Sequence, residues 1–148
     1  MNIRTATTRD LRSLALLFDA YRVFYRKETD VEAAEIFVAA RLQAKDSKIY
    51  VAENAEGDLV AFVQLYPLFS STLMQRLWLL NDLYVAPDFR GAGIAAQLIE
   101  RAKQLVRETA ACGMYLETEK SNEIGNYLYP KTGFKLNKNA NFYEWDMD

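Results

Sequence analysis

Leu79-Leu80-Asn81-Asp82-Leu83-Tyr84-Val85-Ala86-Pro87-Asp88-Phe89-Arg90-Gly91-Ala92-Gly93-Ile94-Ala95-Ala96-Gln97-Leu98-Ile99 decides the reading of this chain. An apolar strand runs into a short loop with one Arg and two glycines. A helix then starts with no bulky side chain over its first turn. Backbone N–H groups at such a start have no helical acceptor, and the helix dipole adds partial positive charge. A phosphate or pyrophosphate fits there. Gly91 and Gly93 allow close approach of the backbone and positive φ. Arg90 adds a charge-assisted contact. A tight turn that binds nothing would use the same glycines, so the loop needs support from elsewhere in the chain.

Gly91-x-Gly93-x-x-Ala96, with Glu117 downstream, also fits the Gly/Ala-tolerant form of the dinucleotide fingerprint. Topology argues against that reading. Such a fingerprint opens a series of βαβ units, and too little chain follows Ile94 to build them. The chain before the loop reads as helices and antiparallel strands. Met1 to Ala6 is a first strand, and Thr8 caps a helix to about Tyr25 with Leu11, Leu14, Ala15, Phe18 and Tyr21 on one stripe. Thr29-x-x-Glu32 is a capping box for a second helix, apolar at Ala33, Ile36, Phe37, Ala40 and Ala44. Lys48 to Glu53 and Leu59 to Leu68 form a hairpin around an Asn54–Asp58 turn, the second strand ending at Pro67 and the Ser70-Ser71 loop. Arg76 to Val85 is a fourth strand, apolar on both faces and therefore central.

After the loop, Ile94, Leu98, Ile99, Ala102, Leu105 and Val106 recur at helical spacing, and Gly113 follows. Met114 to Thr118 is a fifth strand, and Asn122 opens a short helix to about Thr132. Phe134 to Leu136 and Phe142 to Met147 read as a terminal hairpin. The 148 residues, 51% hydrophobic, fit one domain, 1–148, with a sizeable core. The net charge of −2 with no Lys/Arg run gives no sign of nucleic-acid binding. No apolar stretch reaches the roughly 20 residues of a membrane span. The single Cys112 suits a reducing cytoplasm. The absence of histidine removes the commonest general base and metal ligand, and no metal site is expected.

Arg90-Gly91-Ala92-Gly93-Ile94-Ala95 resembles the Arg/Gln-x-x-Gly-x-Gly/Ala pyrophosphate loop of the GNAT acetyltransferase superfamily. Asn122-Glu123-Ile124-Gly125-Asn126-Tyr127-Leu128-Tyr129-Pro130-Lys131-Thr132-Gly133-Phe134 resembles its second signature, where an Asn precedes a helix carrying Leu-Tyr and Gly-Phe closes it. Leu80-Asn81-Asp82-Leu83-Tyr84-Val85 is most similar to the small amine acetyltransferases, including the Hpa-type enzymes. The resemblance implies an α/β (α+β) fold with a mixed sheet of about seven strands, strands four and five splayed, and four helices. It implies acetyl-CoA as co-substrate in the opening. Leu83, Tyr84 and Val85 would meet it through the main chain, and Arg90, Gly91, Ala92, Gly93, Ile94 and Ala95 would hold its pyrophosphate. Asn122 would bond the pantetheine or serve only as a helix cap. A main-chain N–H at the strand-four bulge, Val85 or Tyr84, would stabilise the oxyanion.

Tyr129 matches the family's general acid, although Tyr also packs as a half-buried aromatic beside Phe134. Some diamine acetyltransferases carry a Glu where Asn81 stands, and Asn cannot act as a base. Asp82 and Glu117 remain as candidates, with Glu119 a third. Cys112 lies before strand five, so direct transfer in a ternary complex is expected. Tyr21, Tyr25, Tyr66 and Trp78, with Phe24, Pro67 and Phe69, would wall an acceptor pocket for a cationic amine, while for Phe24 and Trp78 plain core packing is the stronger reading. Arg22, Arg26 and Lys27 would instead suit a substrate carboxylate. The expected activity is acetylation of a small primary amine such as a polyamine or amino acid. Alternatives are a protein lysine or N-terminus, or a non-catalytic acyl-CoA-binding module. The aromatic tail Phe142–Met147 invites pairing into a homodimer.

Overall fold

The computed structural model describes residues 1–147. In chain order the elements are β1 (Asn2–Thr5), α1 (Leu11–Phe24), α2 (Val31–Ala44), β2 (Lys48–Glu53), β3 (Leu59–Ser70), β4 (Gln75–Val85), α3 (Ile94–Glu108), β5 (Met114–Tyr115) and α4 (Glu123–Lys131). Two compact units divide them, Met1–Glu117 and the chain from Thr118 onward. All five strands belong to the first unit and lie in the order β1-β2-β3-β4-β5, antiparallel except for the parallel pair β4–β5.

Runs of buried residues at 49–52 and 60–65 make β2 and β3 the centre of the sheet. One face packs Ile49, Val51, Phe62 and Tyr84 against Leu14 and Leu17 of α1 and Val38 of α2. The amphipathic α3 turns Ile94, Leu98, Ile99, Ala102 and Leu105 inward. Removing each of the larger aliphatic side chains from water is worth about 1.5–3 kcal/mol. Among the described residues no helix is long and apolar enough to cross a membrane.

Several boundaries differ from the sequence reading, each for a physical reason. Thr8–Asp10 form a 3-10 turn ahead of α1, with Thr7 as its cap. Asp30, not Thr29, caps α2, accepting from the Ala33 N–H at 3.0 Å. Thr29 gives its hydroxyl proton to the buried carboxylate of Asp19 at 2.6 Å. Helix α2 buries Ala34 and Val38, while Ile36 is 66% exposed. Its residues 33, 34 and 36–40 are all apolar, so periodicity does not select a face.

Strand β3 runs through Pro67 to Ser70, because β2 begins opposite Leu65 and Pro67 therefore interrupts no ladder on that side. The sheet has five strands where about seven were expected. Among the described residues no strand forms between Phe134 and Met147. Asn137, Asn139 and Asn141, alternating with Lys135 and Lys138, disfavour extended pairing, and the terminal strand β5 offers an edge of only two residues.

Arg4 joins the first strand to the start of α1. Its guanidinium donates to both oxygens of Asp10 at 2.8 Å and also bonds Glu53. Asp10 in turn accepts the Thr7 N–H at 2.7 Å. The Arg4 bond, opposed by burial and aided by Thr7, holds the Asp10 carboxyl at about 2. A carboxylate depressed below its unfolded value of about 4 contributes stability above that pH and loses it as pH falls through the folded value. Asp10→Asn is expected to cost about 2 kcal/mol at pH 7. Its deficit against the wild type should shrink as pH falls from about 4 to about 2, read from urea melts across that range.

Candidate active site

Gln64 stands opposite Asp82, but Leu65 stands opposite Leu80, which leaves Asn81 as an extra residue in β4. A one-residue bulge exchanges the faces of everything beyond it. Tyr84 and Asp82 therefore share a face with Phe62 and Gln64, toward α1. Leu80 and Trp78, at the same parity, turn toward α3. Trp78 is 3% exposed and its indole N–H donates to Thr109 at the end of α3 at 2.9 Å. The structure thus puts Trp78 in the core beneath α3, apart from the tyrosines with which it was grouped. The bulge itself sits four residues before Val85, where the sequence reading had placed the oxyanion donor.

Beyond Leu79 the sheet opens. Strand β5 pairs only as Trp78↔Met114 and Leu79↔Tyr115, so Leu80 to Val85 are bonded on the β3 side alone. The Ala86 N–H donates to the Val60 carbonyl on β3 at 2.9 Å. Main-chain direction alternates along a strand, so the N–H groups of Val85 and Leu83 face the open side. That of Tyr84 faces β3. The Val85 carbonyl shares the open side and accepts the Arg90 Nε–H at 2.9 Å.

The loop after β4 is shaped by conformation. Gly91 and Gly93 have φ of 78° and 77°. A β-carbon at either would meet no atom within 4 Å, so it is the backbone angle that calls for glycine. Gly93 caps α3 without a side chain, which leaves the first-turn N–H groups of Ile94, Ala95 and Ala96 available to an outside acceptor. Ile94 is buried and anchors the turn. Arg90 lies with its guanidinium 5.5 Å from the Tyr84 ring centre and 5.8 Å from that of Phe24. Exposed amides, a helix N-terminus and an adjacent guanidinium are a donor set that fits a diphosphate.

Around the bulge lies a buried polar chain. Asp82 is 4% exposed. Its Oδ2 accepts the Gln64 amide N–H at 2.8 Å, and its Oδ1 accepts that of Asn81 at 3.0 Å. The same Gln64 nitrogen donates to the Tyr66 hydroxyl oxygen at 2.8 Å. Tyr21 donates its hydroxyl to the Asn81 carbonyl at 3.4 Å, and the Tyr25 ring meets the Tyr21 ring edge-on at 5.1 Å. Burial pushes the Asp82 carboxyl up, and the donors Gln64, Tyr21 and Asn81 pull it part of the way back. Burial, with the Asp82 charge beside it, pushes Tyr66 up to about 12. Glu117 is exposed, two residues past the end of β5, and takes no part in these bonds. Gln64 escaped the sequence reading; a single amide inside the apolar run Val60-Ala61-Phe62-Val63-Gln64-Leu65 was the available signal.

The second unit carries the other signature as a local packing unit. The Asn122 side chain caps α4, accepting from the Gly125 N–H at 3.1 Å and donating to Thr118 Oγ1 at 2.9 Å. A β-carbon on Gly125 would stand 2.6 Å from Asn122 Nδ2 and 3.2 Å from the Tyr129 ring, so glycine lets cap and ring approach. Tyr129 is half-buried and meets Phe134 edge-on at 5.8 Å. The Phe134 N–H donates to its carbonyl at 3.0 Å. Tyr127 is 68% exposed.

Residues 14–134 match the model of the acetyltransferase (GNAT) family. The uncharacterized N-acetyltransferase YhfO of Bacillus subtilis (strain 168) is 42% identical over 135 residues, 91% of this chain and 90% of that protein. A streptothricin acetyltransferase of Streptomyces lavendulae is 36% identical over 89 residues, 60% of this chain and 45% of its own length. A crystal structure of a probable acetyltransferase superposes with a TM-score of 0.94 at 39% identity, covering 100% of this chain and 99% of that one. The chain therefore belongs to the acetyltransferase (GNAT) family, as an N-acetyltransferase of the acetyl-CoA-using kind.

Proposed function

We propose that this enzyme acetylates the primary amine of a small molecule, a polyamine or an amino acid, by direct transfer within a ternary complex. The carboxylate of Asp82 serves as the proton acceptor. The observation that carries this reading is the enclosed Asp82 at the β4 bulge, with Tyr21, Gln64 and Tyr66 around it. An amine attacks only when neutral, so its ammonium form must first give up a proton. A carboxylate lifted by burial is a stronger base than an exposed one and takes that proton directly or through one water. The faces of Tyr21 and Tyr25 suit a cation on its way to that carboxylate.

Acetyl-CoA, when bound, supplies the acetyl thioester. The first-turn amides after Gly93 are assigned its diphosphate, and the N–H groups of Leu83 and Val85 are the donors at the open edge. Val85, not Tyr84, is assigned the oxyanion contact. Tyr129 is carried over from the family signature as the acid. The streptothricin acetyltransferase is named for a compound and not for a protein, which favours a small acceptor over a lysine or N-terminus of a protein. The tail residues Phe142, Tyr143, Trp145 and Met147, 64–87% exposed, are assigned to a homodimer contact. The partly exposed Cys112 suits a reducing compartment.

The primary test is CoA release with acetyl-CoA against polyamines, free amino acids and a basic peptide. Turnover is expected on one of the first two classes; turnover on the peptide alone would sink the small-molecule reading. Asp82→Asn is expected to lower kcat by about 100-fold or more. Because the base form appears only above the raised carboxyl value, kcat/KM should climb with pH through an acidic limb above the ordinary carboxylate range. That limb should vanish in the variant. Gly93→Val forces a branched side chain to positive φ and should weaken acetyl-CoA binding at least tenfold by calorimetry, while Asp82→Asn leaves it unchanged. Light scattering should give twice the chain mass, and a monomer at assay concentration would remove the dimer.

A further inference from the structure

Gln64 is 1% exposed in the middle of β3, and no motif marks it. Its amide nitrogen donates at 2.8 Å to Asp82 Oδ2 and at 2.8 Å to the Tyr66 hydroxyl oxygen. Its Oε1 accepts the Ser47 hydroxyl at 3.3 Å. Both amide hydrogens are therefore committed. An ionised carboxylate only accepts, so the amide must present its nitrogen to Asp82. Tyr66 then receives the second hydrogen, and its own O–H proton is left to turn away from Gln64. One amide thus imposes opposite polarities on two neighbouring groups, an acceptor at Asp82 and a donor at Tyr66. A buried polar group without such a partner would bear its whole desolvation cost.

The other groups facing this cluster are few. Tyr21 on α1 donates to the Asn81 carbonyl and also acts as a donor toward Asp82, and Asn81 itself bonds Asp82. Arg41 and Asp46, at the C-terminal end of α2, act on Tyr66 with opposite signs. Arg41 and Asp46 also pair with one another at 3.0 Å. Burial makes Asp82 harder to ionise, and Gln64 heads the neutral donors that offset it in part.

We propose that Gln64 is a positioning residue for acetyl transfer, its two amide hydrogens keeping Asp82 ionisable and turning the Tyr66 hydroxyl proton toward the acceptor. This rests on the reading of Asp82 as the proton acceptor. It acts through Asp82 and Tyr66 and touches no reacting atom. Removing the donor while keeping the shape, as in Gln64→Met, makes the carboxylate harder to form without opening a cavity.

The test follows the Asp82 carboxyl by carbon-13 NMR titration of the full chain without any acceptor, using Asp82→Asn to assign the signal. In Gln64→Met the titration midpoint is expected to rise by about one pH unit or more. Gln64→Glu, the same shape with a second carboxyl, should raise the upper of two coupled midpoints, and serves if the Met variant does not fold. The acidic limb of kcat/KM, on whichever polyamine or amino acid turns over, should move up with the carboxyl. Activity should recover at high pH, and the KM for acetyl-CoA should stay as in the wild type. An Asp82 midpoint that stays in place in the folded variants overturns the role of Gln64 and leaves Asp82 as base untouched. A midpoint that rises while the limb stays fixed overturns Asp82 as base instead.

Discussion

One inserted residue, Asn81, governs this molecule. Strand β4 carries one more residue than β3 opposite it, and the ladder resolves the mismatch by reversing the facing of β4 at that point. On one side of the bulge Leu80 and Trp78 fill the α3 face. On the other, Tyr84 and Asp82 fill the α1 face. Were Asn81 instead paired in a regular ladder, it would stand opposite Gln64 and Asp82 would turn to the α3 face. The same stretch is where the parallel pairing with β5 stops. The strand that bends is the strand that stands open.

Two kinds of glycine serve the rest. Gly91 and Gly93 are held by torsion alone, since nothing crowds them. They free the first turn of α3 from any side chain and point its amides outward. Gly125 is held by crowding alone, between a capping Asn122 and the ring of Tyr129. Substitution at the first pair attacks the backbone. Substitution at Gly125 attacks a contact between two side chains that the family signature names together.

The element order and both signatures were legible because each has a local cause: apolar period for α1 and α3, an uncapped helix start after Gly93, an Asn before α4. Asp82 and Glu117 stood equal as carboxylates on strands four and five, and only the fold separates the buried Asp82 from the exposed Glu117. Trp78 was left between pocket and core because facing depends on a bulge, and a bulge is a relation between two strands that neither strand's sequence displays. Gln64 was missed for the same reason, since its importance lies in what stands across from it. The face of α2 was not readable where every face is apolar. The terminal strands were expected from aromatic content, but Asn and Lys between the aromatics and a two-residue β5 leave them without a ladder.

Beyond Leu65 the sheet narrows. There β3 has lost β2, and Tyr66 to Ser70 pair with β4 alone. On its other side this stretch of β4 is held by β5 and by the Trp78 bond to Thr109. Tyr66 sits at the root of that arm. The same Tyr66 that accepts from Gln64 is thus the first residue of that two-strand arm.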